Sequence, residues 1–328
     1  MIGLTVFLFV NVALTGAANR IKVATLGTHG PAFDKTKEMQ QAVVQMTGFW
    51  QQEISQVLSC RPDLIVLPES CDLPAGLTRE ERDEYLRIRG DQTLNLFSSI
   101  AKENHCYIAF GMYRPAEDGK WYNSAVLLDR KGGVAGIYNK NFPTIRELEE
   151  GIKAGTETPL IRCDFGTVAC AICFDLNFPE LMQKYEEKKP DIILFPSMYH
   201  GGLMQNCWAY FCRSFFIGSL WNKNVPSEIR NPFGNVVASS TNYSDYAVAT
   251  INLDRVLVHL DYNQKKLKEL KKKYGEAVTI TDPGRFGSVL ITSEHESISA
   301  AEMAKELDIE LLDDYFDRSR EVRQKSGQ

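Results

Sequence analysis

The chain has 328 residues, of which 44% are hydrophobic and 24% are charged, and its formal net charge is -5. This composition predicts a globular protein with a large core and excludes an intrinsically disordered chain. Acidic and basic residues are interspersed along most of the sequence, so we expect no nucleic-acid partner.

The N-terminal segment, MIGLTVFLFVNVALTGAANR, contains an apolar stretch that is too short for a comfortable transmembrane span and is followed by small residues. This pattern predicts a secretory signal peptide at residues 1–18 and export to the periplasm or the extracellular space. A positively charged n-region is missing apart from the amino terminus. An uncleaved anchor, or a first strand extended by the choice of start site, therefore stays open, with a cytoplasmic location as the alternative.

The first half of the chain alternates predicted strands and helices. Strands are predicted at 21–27 (IKVATLG) and 63–70 (DLIVLPES), and helices over 33–58 and most of 79–104. Three strand-like runs follow, separated by the turn signals AEDGK and RKGG: CYIAFGMY, YNSAVLLD and VAGIYNK. Their short connections predict a meander within one sheet.

A long polar loop is predicted at 141–158, and LIRCDFGTVACAICF then predicts a hairpin that turns at Asp164. Helices are predicted near 179–188 and 204–214, and the strand-like runs after the hairpin are DIILFPS, FFIGSL, VVASS and YAVATINL. Alternating and continuous apolar strands together indicate sheets buried under helices. The basic run 265–273 has the spacing of an amphipathic helix with Leu267 and Leu270 inward, which we favour over a nucleic-acid or membrane patch.

Three of the predicted strands end in a residue that can take part in chemistry. LIVLPE ends in Glu69, GIYNK ends in Lys140, and VACAIC ends in Cys173. Alone, each has an ordinary structural role as a loop carboxylate, a solvated lysine or a core thiol. Because ligands of α/β sheets bind beyond the carboxyl ends of strands, we expect the three side chains to converge on one pocket.

These three residue types together suit acyl transfer through a thioester. The thiolate of Cys173 would be the nucleophile, and it needs a base to remove its proton. Glu69 can take that proton and return it to a leaving amine. Lys140 would place positive charge where the tetrahedral oxyanion develops, and the backbone N–H after the nucleophile, that of Phe174, can point the same way.

The eight cysteines do not form the pattern of a disulfide framework, because most lie within apolar strand or helix runs. Cys170 and Cys173 match a CxxC motif, but Cys170 lies inside the predicted strand and no second ligand pair follows. We interpret Cys170 as core packing. No dinucleotide fingerprint, P-loop or metal-ligand cluster is found in the sequence, so we expect no cofactor and no metal.

The sequence resembles the nitrilase superfamily of carbon–nitrogen hydrolases. The resemblance covers roughly residues 20–255 and is carried by LIVLPES, GIYNKNFPT and CFDLNFPE in the family order, with further matches in YNSAVLLD, DIILFPSMYHGG and NPFGNVVASS. It implies Glu69 as general base, Lys140 as the oxyanion-stabilising cation and Cys173 as nucleophile. It also implies an α/β fold of the four-layer α-β-β-α sandwich type, a hydrolase domain at 20–290, and a homodimer or larger assembly. The extension at 291–328 would contribute dimer contacts.

Many members of this superfamily carry a second glutamate after the lysine, and the resemblance favours Glu147 for that positioning role. Glu149 and Glu150 stay open as alternatives. Asn177 stands where many relatives have arginine, which is a departure from the family pattern. Phe174 is the second residue to which we assign an auxiliary, substrate-positioning role. It follows the cysteine where true nitrilases carry tryptophan, a pattern closer to amidases.

The predicted function is therefore hydrolysis of a small linear or carbamoyl amide. Nitrile hydrolysis and acyl transfer by the same triad are the alternatives. An exported protein that binds amides without cleaving them is an alternative from another class, although three retained reactive residues argue against it. A Ser-His or Cys-His hydrolase using His200 is a weaker alternative, because a satisfied core or rim histidine is the commoner role of such a residue.

Overall fold

The computed structural model describes residues 18–327. The strands are β1 (Arg20–Leu26), β2 (Leu64–Val66), β3 (Tyr107–Pro115), β4 (Trp121–Leu128), β5 (Val134–Asn139), β6 (Ile152–Lys153), β7 (Ile161–Cys163), β8 (Gly166–Cys170), β9 (Ile192–Ser197), β10 (Phe215–Leu220), β11 (Glu228–Arg230), β12 (Val236–Ser239), β13 (Tyr246–Asn252), β14 (Arg255–His259), β15 (Val278–Thr281) and β16 (Ser288–Ser293). The helices are α1 (Met39–Leu58), α2 (Arg79–Arg89), α3 (Gln92–Asn104), α4 (Ile145–Glu149), α5 (Pro179–Lys188), α6 (Leu203–Phe211), α7 (Gln264–Tyr274), α8 (Ala300–Glu306) and α9 (Leu312–Ser326). The predicted signal peptide falls on residues 1–18, nearly all of which lie outside the described residues, and it stays a prediction.

The described chain divides into two compact units, residues 21–251 and residues 18–20 with 252–327. The larger unit contains two sheets. One has the strand order β13-β1-β2-β3-β4-β5, with β6 paired to β4, and the other has the order β12-β11-β10-β9-β8-β7. In each sheet three neighbouring strands are parallel, β1-β2-β3 in the first and β8-β9-β10 in the second.

Helices cover the outer face of each sheet. Trp50 of α1 and Phe97 of α3 pack with Phe110 of the first sheet, and Trp208 of α6 packs with Phe216 of the second. The inner faces meet, since the Thr25 hydroxyl donates to the Gly218 carbonyl at 2.8 Å and the Ser219 hydroxyl donates to the Leu26 carbonyl at 2.6 Å. This arrangement confirms the predicted α-β-β-α sandwich.

Several predicted elements differ in extent from the observed ones. The helix predicted from residue 33 begins at Met39, because the Asp34 carboxylate accepts bonds from the backbone and hydroxyl of Thr36 and forms a turn there. The helix predicted over 79–104 is broken at Gly90, whose φ is 47°. The predicted loop 141–158 contains α4 and β6, and the short strand β11 was not predicted. The first of these two omissions matters for the site, because α4 carries Glu147.

The smaller unit contains the antiparallel sheet β14-β16-β15 with α7 and α8 packed on it. Leu267 and Leu270 of α7 are buried against this sheet, which confirms the amphipathic helix predicted for the basic run. The predicted domain limits at 290 and 291 stay predictions. None of the helices between residues 18 and 327 combines the length and the apolar character that a membrane span requires.

Candidate active site

Glu69 reaches the interior of the larger unit through a close approach of two backbones. Directly after β2, the Leu67 N–H donates to the Ala109 carbonyl of β3 at 2.8 Å. Opposite Glu69, β3 carries Gly111, where a Cβ atom would lie only 2.5 Å from the Glu69 Cα. Only glycine leaves room for the backbone there. The Glu69 side chain is consequently held in a buried position, with a residue exposure of 2%.

Lys140 lies one residue beyond β5 and still continues the ladder, because its N–H donates to the Asn123 carbonyl of β4 at 2.9 Å. Its side chain is buried and its ammonium group contacts two carboxylates. The Nζ atom lies 2.9 Å from Glu69 Oε1 and 2.8 Å from Glu147 Oε2. Because a buried ammonium without partners would be strongly disfavoured, these two ion pairs fix its position.

Glu147 is positioned by the first turn of α4. Thr144 is the N-cap of this helix, and the two residues form a capping box in which each side chain bonds the backbone N–H of the other. The carboxylate of Glu147 also accepts from Asn123 Nδ2 at 2.8 Å. Glu149 and Glu150, the two alternatives from the sequence, do not contact Asn123. Glu150 pairs with arginines, and Glu149 is exposed.

Cys173 stands at a sharp turn behind a parallel strand. The strand β8 ends at Cys170, and Cys173 opens a 3-10 turn, Cys173–Asn177, with a φ of 48°. Positive φ is unfavourable for a residue with a side chain, and such strain concentrates at functional sites. The turn presents the thiol to the same cavity as Glu69 and Lys140, so the three predicted residues are brought together.

The turn after Cys173 is fastened by Asp175, whose contribution was not predicted. Its buried carboxylate accepts bonds from the Ile172 N–H at 2.9 Å, the Phe142 N–H at 2.8 Å and the Tyr138 hydroxyl at 2.7 Å. These bonds tie the segment that carries Lys140 to the segment that carries Cys173. Burial raises the pKa of Asp175 to about 6, although the three donors oppose that shift.

Two further groups at the site were also not predicted. Asn123 Nδ2 donates to Glu69 and to Glu147 at 2.8 Å each, and so links the two carboxylates. The Met198 N–H, just after β9, donates to Glu69 Oε2 at 3.1 Å and also interacts with the thiol of Cys173. Asn123 had a sequence signal, because it is a polar residue in the strand-like run YNSAVLLD. The Met198 amide had none, since a backbone group leaves no trace in the sequence.

Burial and the neighbouring charges together set the protonation of the site. Burial, and next the negative charge of Glu69, raise the pKa of the Cys173 thiol to about 12, while Lys140 and the Met198 N–H partly oppose the rise. Burial alone would lower the pKa of Lys140, but Glu69 and Glu147 outweigh it and raise that pKa. Burial alone would raise the pKa of Glu147, but Lys140 and the other donors lower it. The resting thiol is therefore protonated beside a charged ammonium group.

These groups line one end of a cavity of about 440 Å³, whose walls include Tyr113 and Trp221. The side chain of Phe174 is not among the lining groups and packs edge-on against Phe178, with ring centroids 5.2 Å apart. Asn177 donates to the Phe174 carbonyl and to the Tyr199 hydroxyl at 3.1 Å each. It therefore serves the local packing of the turn.

The remaining candidate residues lie in structural surroundings. His200 pairs with Glu228 at 3.0 Å and is not among the residues that line the cavity. All eight cysteines are free thiols, and Cys170 is buried as predicted. Between residues 18 and 327, no three His, Cys, Asp or Glu side chains are grouped so that they could hold a metal ion.

The sequence was compared with family models and with known proteins. A family model described as carbon-nitrogen hydrolase matches residues 22–256. A "probable hydrolase" of Bacillus subtilis is 30% identical over 141 residues, 42% of this chain and 28% of that protein. The deaminated glutathione amidase of Mus musculus is 29% identical over 182 residues, 51% of this chain and 55% of that protein. The chain thus spans about half or less of the length of these two relatives.

The same fold is found among solved structures. A Saccharomyces cerevisiae protein of branch 10 of the nitrilase superfamily superposes with a TM-score of 0.58 at 17% identity. The match covers 81% of this chain and 97% of the yeast chain. At this level of identity the likeness concerns the fold alone, and it agrees with the predicted sandwich.

Proposed function

The chain belongs to the carbon–nitrogen hydrolase family, and from that membership we propose that it hydrolyses small amides through a thioester on Cys173. The predicted enzyme class agrees with this family and with the amidase among its relatives. The observation that carries the proposal is the position of Glu69. Its carboxylate adjoins the Cys173 thiol, and it is held by Lys140 Nζ and the Met198 N–H.

The first half of the reaction would form the thioester. Glu69 removes the thiol proton, and Sγ of Cys173 attacks the carbonyl carbon of the amide. The oxyanion of the tetrahedral intermediate is stabilised by Lys140 Nζ and by the N–H of Phe174. Glu69 then gives the proton to the amide nitrogen, the carbon–nitrogen bond breaks, and ammonia or an amine leaves.

The second half would release the acid. A water molecule enters in place of the amine, and Glu69 takes one of its protons as the oxygen attacks the thioester carbonyl. The carbon–sulfur bond breaks, the thiol recovers its proton from Glu69, and a carboxylic acid leaves. A base is required, because a thiol of pKa about 12 at pH 7 costs roughly 7 kcal/mol to ionise.

The experiment compares the natural chain with Cys173→Ala during incubation with a panel of small amides and nitriles. Ammonia release is measured together with the intact mass of the protein. We expect ammonia from amides and a substrate-dependent acyl adduct in the natural chain alone. Turnover of nitriles without amides would overturn the proposal in favour of nitrile hydrolysis. An adduct that leaves only when an amine is added would favour acyl transfer, and no adduct or ammonia with any compound would favour the amide-binding protein.

Homodimer formation is a separate proposal, which rests on the sequence resemblance. Sedimentation equilibrium of the purified chain tests it, and a concentration-independent monomer would overturn it.

A further inference from the structure

A second cavity, here called the helix-side cavity, lies between the helices α2 and α3 and the outer face of the first sheet. Its volume is about 370 Å³, within the range of small-molecule sites. Successive residues of a strand point to opposite faces of a sheet. On β3, Tyr113 accordingly lines the catalytic cavity, whereas its neighbours Met112 and Arg114 line the helix-side cavity. The two cavities share no lining residue.

The helix-side cavity is bounded by the connection between α2 and α3. Gly90 and Asp91 line it there, and Gly90 has a φ of 47° and a ψ of -125°, a conformation that glycine adopts without a steric penalty. Val134 of β5, the strand at the end of the sheet, lines another wall and is 48% exposed. The cavity is therefore accessible from the solvent.

Most of the side chains that line the helix-side cavity are apolar. They come from two helices and three strands and include Leu86, Leu94, Met112, Val126, Val134 and Ile137. Each methylene group that a ligand transfers from water to such surroundings raises its affinity by about fourfold. The wall therefore suits a ligand with a hydrocarbon body.

Arg114 brings a positive charge without a partner into these apolar surroundings. Within the described range 18–327, its guanidinium makes no ion pair and no hydrogen bond. The side chain is half-buried, and burial lowers the pKa of Arg114, while the negative charge of Asp91 acts against this shift. A partly desolvated cation without a partner is unfavourable, so an anionic group of a ligand would stabilise it.

The other charged residues of the helix-side cavity limit the charge of that ligand. Arg89 is occupied by the buried carboxylate of Asp72. This leaves two arginines, Arg87 and Arg114, and one carboxylate, Asp91, so the cavity has one net positive charge. A monoanion balances this charge, whereas Asp91 would repel the second charge of a dianion such as a phosphate ester.

We propose that the helix-side cavity binds a medium-chain carboxylic acid, with the carboxylate on Arg114 and the hydrocarbon chain along the apolar wall. The planar fork of a guanidinium matches a carboxylate with two parallel hydrogen bonds. The proposal does not depend on amide hydrolysis at Cys173, because the ligand lies on the other face of the sheet and takes no part in that reaction.

The test is isothermal titration calorimetry on the natural chain at neutral pH, where carboxylic acids are ionised. The ligands are hexanoic and octanoic acids, each compared with the neutral alcohol of the same length. We expect octanoic acid to bind about tenfold more tightly than 1-octanol, the gain typical of a hydrogen bond to a charged group. It should also bind about 15-fold more tightly than hexanoic acid, because two more methylene groups are buried.

Three substitutions locate the site. Arg114→Met should bring the ratio of acid to alcohol affinity to about one. Val134→Asp cancels the net charge of the cavity at an exposed position and should weaken the acid several-fold more than the alcohol. Arg162→Met is the matched control, because it removes an exposed strand arginine outside both cavities and should keep the full ratio. The melting temperature without ligand shows whether each variant keeps its fold.

The proposal is overturned if acids and alcohols bind alike, or if neither binds at millimolar concentration. It is also overturned if the preference for the acid survives Arg114→Met or is unchanged by Val134→Asp, since the acid would then be bound elsewhere on the chain. Failure of the hydrolytic proposal looks different, because it appears as absence of ammonia and acyl adduct and leaves these affinities unchanged.

Discussion

Replacing Glu69 by glutamine should lower the turnover of amides and at the same time raise the acidity of the Cys173 thiol. The substitution keeps an oxygen that can accept from Lys140 and Asn123, which contact Glu69 at 2.9 Å and 2.8 Å. A glutamine amide cannot take up the proton of the Cys173 thiol. Turnover of amides should therefore fall by roughly 10²- to 10⁴-fold, the usual contribution of a general base.

The intrinsic acidity of the thiol should meanwhile increase. The charge of Glu69 is the largest cause of the raised thiol pKa after burial, and Lys140 acts to lower it. With a pKa of about 12, roughly one thiol in a hundred is ionised at pH 10. Removal of a neighbouring like charge should raise that fraction by about tenfold or more.

The assay is alkylation by excess iodoacetamide at pH 10, followed at Cys173 by peptide mass mapping, beside ammonia release at neutral pH. Glu149→Gln is the matched control, because this exposed residue on the same protein should change neither rate. Faster alkylation with lost turnover is the expected result. Turnover within a few-fold of the natural chain would refute the role of Glu69 as base, and alkylation no faster than in the natural chain would refute the effect of its charge on the thiol pKa.

Three further substitutions test the surrounding groups. Glu147→Gln should reduce turnover by about 10- to 100-fold, because Lys140 loses a charged hydrogen-bond partner. Glu149→Gln is the control and should leave turnover unchanged. Equal turnover of the two variants in a kinetic assay would contradict the role of Glu147. Lys140→Met leaves the carboxylates of Glu69 and Glu147 without their cation. It should therefore lower the free energy of unfolding, measured by urea titration, by about 3–5 kcal/mol. A change below about 1 kcal/mol would be evidence against these ion pairs. The pKa of Asp175 is about 6 in the folded protein against an ordinary value of 3.8, so its protonated form stabilises the fold. This contribution to the free energy of unfolding is on the order of 3 kcal/mol; it is fully present below pH 3.8 and is lost as the pH rises through 6. The difference in unfolding free energy between the natural chain and Asp175→Asn should shift accordingly, and a difference that is flat between pH 4 and 7 would exclude the raised pKa.

The sequence allowed the three central side chains to be predicted because each follows a strongly apolar strand. Glu69 and Lys140 follow strands of one sheet that run in the same direction, so their positions at one edge could be expected. Cys173 follows β8 of the other sheet and meets them because the two sheets pack face to face. Glu147 was separable from Glu149 and Glu150 only by resemblance, although Thr144 and Glu147 form the spacing of a capping box that would have predicted α4.

Other parts of the site depend on contacts that no local pattern encodes. Asp175 connects the backbone of the turn after Cys173 to the segment after β5, and Met198 contributes a backbone N–H. Both contacts exist only once the two sheets are packed face to face. The strand β11 was not predicted because its charged residues Glu228 and Arg230 interrupt the apolar alternation expected of a strand. In the folded protein these two side chains are buried and pair with each other.

The pairing of Lys140 with two carboxylates suits the proposed reaction, in which negative charge would move from Glu69 to the substrate. An ammonium has three donors, and Glu69 and Glu147 occupy two of them, which leaves the third for the developing oxyanion. In the proposed reaction, one negative charge would disappear from the carboxylate when Glu69 takes the thiol proton, and one would appear on the substrate as the oxyanion forms. The sum of charges around Lys140 would then stay constant, so the buried site would need little reorganisation in the transition state. Glu147 keeps the ammonium in place during this exchange because its own charge does not change.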